Sequence, residues 1–112
     1  MNHINVSTAM SRLAKMTSVS SKSKPEGFTQ ACKLLMNIAN DIFQSFEPRN
    51  ISRFMWSIAK MKLQPGTDLT ECMLRQAVVT SNKFDPQGIS NLIWALVTLR
   101  VEPGAELTAA MT

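Results

Sequence analysis

The stretch FEPRNISRFMWSIAKMKLQPGTDLTECML, residues 46–74, returns along the chain as FDPQGISNLIWALVTLRVEPGAELTAAMT, residues 84–112. At this offset of 38 residues, ten of the 29 positions are identical, and both tryptophans of the chain occupy the same position. Chance seldom aligns Pro, Gly and Trp together, so the two stretches indicate an internal repeat. A fixed period of this length is typical of stacked repeat architectures.

A weaker third copy lies upstream of these two. Residues 5–7 and 14–16 echo residues 50–52 and 59–61 at an offset of 45 rather than 38. The additional residues fit into a Ser- and Lys-rich loop at 17–27. The sequence therefore predicts three units: a degenerate first repeat at 1–45, a second at 46–83, and a third at 84–112 that is truncated in its second helix.

Each unit is predicted to form two helices. Apolar residues between 51 and 61 follow helical spacing, and Asn50 is a candidate N-cap. Pro65-Gly66 ends this helix, and a second helix is expected from Thr67 to Ser81. The same pattern predicts helices near 4–16, 28–44, 88–100 and 104–112. The predicted fold is all-α, an α-solenoid of stacked antiparallel helix pairs with about 2.5–3 repeats of 38 residues.

The predicted end of the stack has a consequence for burial. One helix pair cannot bury its own apolar stripe, so neighbouring units must cover it. Beyond the third unit the sequence supplies no polar cap. We therefore expect exposed apolar residues at the C-terminal face, such as Leu107 and Met111.

Composition narrows the classes of function. A chain of 112 residues with 45% apolar residues suits one domain with a packed core, and its net charge of +4 favours an anionic partner. The single histidine and the distant Cys32 and Cys72 give no Cys/His metal motif. The sequence has no Gly-rich phosphate loop, nucleophile elbow or clustered carboxylate motif. We expect neither an enzyme nor a cofactor, metal or small-molecule substrate, and no apolar run is long enough for a membrane span.

The repeat resembles a known family. Residues 84–99, FDPQGISNLIWALVTL, followed by Pro103, resemble the octotricopeptide repeat (OPR), and residues 46–61, FEPRNISRFMWSIAKM, resemble a second copy. The 38-residue period and a Trp-Ala-Leu-like core are features of that family, which is similar to the FAST kinase-like and RAP-domain proteins of organelles. The resemblance covers residues 46–112 well and residues 4–45 loosely. The sequence shows no RAP-type module, so the resemblance carries no argument for nuclease activity.

The resemblance implies a function and a location. OPR proteins are nucleus-encoded factors that bind chloroplast or mitochondrial RNA and affect its processing, stability or translation. We therefore expect a soluble organellar protein whose partner is single-stranded RNA, a transcript or rRNA, in a possible ribonucleoprotein setting.

A polar face on the first helix of each unit is the candidate RNA surface. In each of the three units this face consists of positions i, i+4 and i+7 of the first helix. These three rows of residues, one in each unit, are in register, so stacking of the units would align them. Lys and Arg attract phosphates, while Asn and Ser can bond base edges. Thr8 and Ala95 belong to the same rows. The predicted RNA-binding residues are Arg12, Lys15, Arg53, Ser57, Lys60, Asn91 and Thr98.

The two tryptophans are predicted to be structural. Trp56 and Trp94 lie beside Ile58 and Leu96 in helices that must pack on both sides, so we expect them in the core rather than as stacking platforms. Lys62 and Arg100 occupy one equivalent position near the helix ends. A favourable interaction with the helix C-terminus is expected there.

Two alternatives stay open. Residues 1–25 contain no acid, four basic residues and eight Ser/Thr, which is a transit-peptide composition, although the echoes of the repeat favour a first unit. The alternative function is a protein–protein interaction α-solenoid scaffold without RNA binding. Basic residues on the inner face would favour RNA, whereas an apolar or acidic inner face would favour a protein partner.

Overall fold

Helices account for nearly all of the chain that the structure describes. The structure is a computed structural model that describes residues 2–19, 27–102 and 104–111. Over these ranges it contains six α-helices and no β-strand, which confirms the all-α prediction. One-turn 3₁₀ helices at Phe43–Ser45 and Ser81–Lys83 follow α2 and α4. The α-helices are α1 (His3–Val19), α2 (Phe28–Ile42), α3 (Pro48–Lys60), α4 (Thr67–Val79), α5 (Pro86–Leu99) and α6 (Gly104–Met111).

Helices α3 and α5 begin earlier than predicted, at a proline in both cases. Pro48 and Pro86 occupy the first turn, where the fixed φ of proline suits a helix and its missing N–H costs nothing. Asn50 is therefore not the N-cap, and instead its Oδ1 accepts a hydrogen bond from the Glu47 N–H at 3.1 Å. In α5 the cap is Asp85, whose Oδ1 accepts from the N–H of Gly88 at 2.7 Å.

Two other boundaries differ from the prediction. Helix α1 continues to Val19, so the start of the predicted loop at 17–27 is helical, and residues 20–26 of that loop lie outside the described ranges. Helix α4 ends at Val79, before the predicted Ser81, and a 3₁₀ turn follows it. The Thr80 hydroxyl donates to the Gln76 carbonyl at 2.8 Å beside this end of the helix.

The turns after α3 and α5 share one backbone conformation. Lys62 and Arg100, which are 38 residues apart, both adopt left-handed backbone with φ of 58° and 60°. In each turn the next residue donates its N–H to a carbonyl five positions back, Leu63 to Ile58 at 3.1 Å and Val101 to Leu96 at 2.9 Å. These bonds close the helix ends in the manner of a Schellman motif, with a basic residue where glycine is usual.

Helix α3 lies between α1 and α5. It packs against both of them, while α4 contacts α2 and α6, and the described part of the chain extends over 41 × 25 × 23 Å. On one side of α3 the Asn50 Nδ2 donates to Ser7 Oγ of α1 at 3.4 Å. On the other side the Ser52 Oγ donates to the Gly88 carbonyl of α5 at 2.9 Å. These contacts decide which sides of α3 are buried.

The core runs through all six helices. It includes Phe46 and Phe54, which meet edge to face with ring centroids 5.7 Å apart. Leu107 of α6 is also buried, so the expectation that it is exposed was wrong, because α6 packs against α4 and the 3₁₀ turn at Ser81–Lys83. The side chain of Met111 lies outside the described residues.

Several exposed apolar residues lie on α5 instead, while Leu34 of α2 and Val79 of α4 are exposed singly. Ile93 and Val97 are 41% and 70% exposed. The residues at the same positions of α3, Met55 and Ala59, are buried on the side that carries Ser52 and faces α5. The corresponding side of α5 is thus the one that lacks a covering helix among the described residues.

Candidate nucleic-acid interface

The exposed side of α3 is a narrow strip. Arg49, Arg53 and Lys60 are exposed and Trp56 is half-buried. At 3.6 residues per turn these four positions span only about 60° of the helix circumference. The rest of the circumference is buried, because α1 covers the side that carries Asn50 and α5 covers the opposite side.

Helix α5 presents the same four positions. Gln87, Trp94 and Thr98 are exposed and Asn91 is half-buried. Each of them follows its α3 counterpart by 38 residues. We call the eight residues the α3–α5 surface: Arg49, Arg53, Trp56 and Lys60 on α3, with Gln87, Asn91, Trp94 and Thr98 on α5.

Ser57 does not belong to this surface, which corrects the prediction. Its side chain is fully buried and its hydroxyl donates to the Arg53 carbonyl within α3 at 2.7 Å. Ala95, at the equivalent position of α5, is also fully buried. The predicted polar face of α3 was too wide, because the helix packed on this side covers Ser57, which lies one turn after Arg53.

The other predicted residues are accessible. Arg53, Lys60 and Thr98 are exposed on the α3–α5 surface, and Asn91 is half-buried there. Arg12 and Lys15 are exposed on α1, and Thr8 is half-buried. Among the α1 residues whose side chains the structure describes, only Ser11 contributes to the groove described next. The structure therefore brings Arg53 and Asn91 together and leaves Arg12 and Lys15 outside their groove.

A groove of about 660 Å³ crosses the N-terminal halves of α3 and α5. Arg49, Arg53 and Trp56 line it from α3, and Gln87 and Asn91 line it from α5. The positive ends of both helix dipoles meet the groove at this end.

Sequence reasoning missed two basic residues of the groove. Lys83 reaches it from the 3₁₀ turn before α5, and Arg49 lies one turn before Arg53. The spacing to Arg53 could have identified Arg49, since it extends the same face by four residues. Nothing local in the sequence marks Lys83, because only the packing of α3 against α5 brings its turn to the groove.

The groove is lined by three basic side chains, Arg49, Arg53 and Lys83, and by two acidic ones, Glu47 and Asp85. Lys83 lies 3.9 Å from the Glu47 carboxylate in an exposed ion pair. The Asp85 carboxylate accepts a hydrogen bond from the N–H of Gly88. Within the described residues, no ion pair engages Arg49 or Arg53. The three basic and two acidic side chains give the groove a small net positive charge, and the two arginines are the cations without an ion pair within the described residues.

Trp94 lies on the surface rather than in the core as predicted, whereas Trp56 is half-buried against the core. Trp94 is 46% exposed, and Trp56 packs against the core with one side while it lines the groove with another. Their ring centroids are 6.3 Å apart with an interplanar angle of 37°. The Lys60 ammonium lies over the Trp56 ring, 5.2 Å from its centroid. Helix α5 covers part of Trp56, whereas Trp94 lies next to the exposed Ile93.

Comparisons with known proteins give no match to this chain, neither to a family model, nor to a curated protein, nor to a solved structure. The likeness to the octotricopeptide repeat therefore remains a prediction based on the sequence motif.

None of the helices over 2–19, 27–102 and 104–111 has both the length and the continuous apolar character that a bilayer crossing requires. Over the same ranges no three His, Cys, Asp or Glu side chains lie in a group suited to a metal ion.

Proposed function

We propose that this chain is an RNA-binding helical-repeat protein of the OPR type. The observation that carries the proposal is the α3–α5 surface. Within the described residues no ion pair engages Arg49 or Arg53, and both line one groove with the half-buried Trp56. The exposed ring of Trp94 lies 6.3 Å from the Trp56 ring. Proteins that bind single-stranded nucleic acids combine cations, which contact the phosphates, with aromatic rings, which stack on the bases.

The proposed architecture is an α-solenoid of stacked antiparallel helix pairs. Its first layer would be α1, α3 and α5, and its second layer α2, α4 and α6. The support is that α3 packs against both α1 and α5, while α4 contacts α2 and α6. A stack of this kind places equivalent side chains in a row, which suits a linear polyanion.

Single-stranded RNA is the favoured ligand for a geometric reason. The accessible strip on α3 is one side chain wide, and the groove between α3 and α5 is a short cleft rather than a broad basic face. A duplex keeps the faces of its bases stacked inside the helix, whereas a single strand can place a base face against an exposed ring such as Trp94. The resemblance to OPR proteins adds the proposed setting, which is the processing, stability or translation of mitochondrial or chloroplast RNA.

The experiment is an anisotropy titration of fluorescein-labelled single-stranded RNA with the whole chain at several salt concentrations. We expect micromolar or weaker affinity, because few phosphates are contacted. The double variant Arg53→Ala/Lys60→Ala should weaken binding and reduce the salt slope by about 0.7 for each lost phosphate contact. The matched control is Lys33→Ala/Arg75→Ala, which removes the same charge from exposed residues of α2 and α4.

Equal loss in the two double variants would show that binding follows net charge alone and would contradict the assigned surface. The alternative function, a protein-interaction scaffold, is favoured by the exposed Ile93 and Val97 on α5. Absence of RNA binding by the wild-type chain would remove the main proposal and leave that alternative.

A further inference from the structure

Trp94 is an exposed aromatic ring on an otherwise polar strip. It lies between Asn91, one turn earlier on α5, and Thr98, one turn later. An indole ring buries 150–250 Å² when it packs, so a ring left nearly half exposed retains a large contact area for a ligand. We infer that Trp94 is the stacking platform for one nucleobase of a bound single strand, with the amides of Asn91 and Gln87 at the edge of that base. This inference rests on the proposed function and specifies where a base is bound.

The comparison with Trp56 shows why Trp94 is the platform. Trp56 packs against the core, and the Lys60 ammonium lies over its ring at 5.2 Å. The residue at the position of Lys60 in α5 is Thr98, whose short uncharged side chain cannot cover an indole ring in this way. The two equivalent tryptophans therefore differ in exposure, since the core and Lys60 cover much of the Trp56 ring, whereas the Trp94 ring contacts Trp56 and is otherwise 46% exposed.

The amides next to Trp94 are already oriented. The Gln87 Nε2 donates to the Asn91 Oδ1 at 3.2 Å, across one turn of α5. That bond does not use the Asn91 NH₂ group or the Gln87 carbonyl oxygen, so the pair presents a donor and an acceptor on the side of the helix that carries Trp94. Every nucleobase has an edge with a donor and an acceptor, and unstacked bases are read through such edges.

The cations of the groove complete the subsite. Arg53 lies on the neighbouring helix at the position that corresponds to Asn91, and the ring centroid of Trp56 is only 6.3 Å from that of Trp94. A strand whose base stacks on Trp94 would thus have its backbone close to the exposed arginines of α3. The chemistry that this subsite recognises is a nucleobase attached to a phosphate, in RNA or in single-stranded DNA.

The experiment uses the fact that the chain has only two tryptophans. The variant Trp56→Phe leaves Trp94 as the sole indole, and Trp94→Phe leaves Trp56. Each variant is titrated with hexauridylate, with the corresponding hexathymidylate DNA and with inorganic polyphosphate, and the indole emission is recorded. We expect both oligonucleotides to quench Trp94 emission at least about 2-fold, to quench Trp56 emission less, and polyphosphate to leave both unchanged at a concentration that competes with labelled RNA.

A second measurement compares affinities. Since base stacking on an aromatic side chain contributes about 5- to 150-fold in affinity, Trp94→Leu should weaken RNA binding by at least about 5-fold. Trp94→Phe keeps an aromatic face and should retain most of the affinity. Circular dichroism of each variant shows that the helices are intact, which the surface position of Trp94 leads us to expect.

The outcomes separate this inference from the proposed function. If labelled RNA binds the wild-type chain while Trp94 emission stays constant, or if Trp94→Leu binds as tightly as Trp94→Phe, the stacking platform is wrong and RNA binding stands. If labelled RNA does not bind the wild-type chain, both are wrong. Quenching by RNA alone supports the platform with a contribution from the 2′-hydroxyl, and equal quenching by DNA supports it through the base alone.

Discussion

The hydroxyl of Ser52 on α3 donates a hydrogen bond of 2.9 Å to the carbonyl of Gly88 at the start of α5. The corresponding positions one unit earlier are Ser7 and Asn50, and these also meet, through a bond of 3.4 Å from the Asn50 amide to the Ser7 hydroxyl. The same two positions therefore join α1 to α3 and α3 to α5. Since the α3–α5 surface depends on how α3 and α5 are spaced, the Ser52–Gly88 hydrogen bond helps to position the candidate site.

The Ser52 hydrogen bond should be visible in stability. Ser52→Ala removes a buried bond between helices and is expected to lower the free energy of unfolding by about 1 kcal/mol. Ser90 is the equivalent residue of α5 and is exposed, so Ser90→Ala should change stability by no more than about 0.5 kcal/mol. Urea denaturation followed by circular dichroism measures both. An equal effect of the two substitutions would show that the bond to Gly88 contributes nothing.

The buried and exposed sides of α3 and α5 give a larger contrast. Ala59 is fully packed and Val97, at the equivalent position, is 70% exposed. Ala59→Lys buries a charge and overpacks the contact with α5, so a loss of at least about 3 kcal/mol is expected. Val97→Lys should cost less than about 0.5 kcal/mol. Thermal unfolding of the two variants provides the test, and a large loss in Val97→Lys would mean that this side of α5 is covered in solution.

Two residues with left-handed backbone conformation are sites where a substitution should stabilise the fold. Lys62 and Arg100 adopt φ of 58° and 60°, a conformation that costs an L-residue about 1 kcal/mol and glycine almost nothing. Lys62→Gly and Arg100→Gly are each expected to raise the free energy of unfolding, by up to about 1 kcal/mol, while Lys62→Ala should not. Chemical denaturation at high salt separates this backbone effect from the loss of a charge. Parallel results for Gly and Ala would argue against a strained turn.

Gln76 joins α4 to the turn before α3. Its Nε2 donates to the carbonyls of Gln44 and Phe46 at 3.1 and 3.0 Å, and the side chain is buried. Gln76→Met keeps the volume and removes both bonds, so a loss of about 1–3 kcal/mol is expected. The control is Gln64→Met, because Gln64 is exposed in the loop between α3 and α4. The free energies of unfolding decide the matter: similar values for both variants would mean that Gln76 is not a structural link.

Most helices could be predicted because their signals are local. Helical spacing of apolar residues, Pro48 and Pro86 before the first helices, and the Pro-Gly turn at 65–66 all act within a few residues. The predicted bounds erred where a local signal was misread. Asn50 suggested an N-cap, while the proline two residues earlier already belongs to the helix.

The candidate site was only partly predictable. Arg53 and Lys60 follow from the polar face of the helix, since long charged side chains are seldom buried. Ser57 satisfied the same spacing, and only the helix packed beside it decides that this position is covered. Small polar residues suit either environment, so their chemistry alone does not distinguish a surface from a helix contact.

The periodic pattern in the chain was enough to predict an all-helical protein, because helix formation depends on neighbours in sequence, and it also predicts equivalent positions in successive units. Which of those positions face a partner helix and which face solvent depended on the order in which the helices pack. Trp56 and Trp94 illustrate the difference: they lie at equivalent positions of α3 and α5, yet Trp56 is half-buried against the core and Trp94 is exposed. Burial of a side chain depends on the helices that surround it, and a local stretch of sequence does not specify which helices those are.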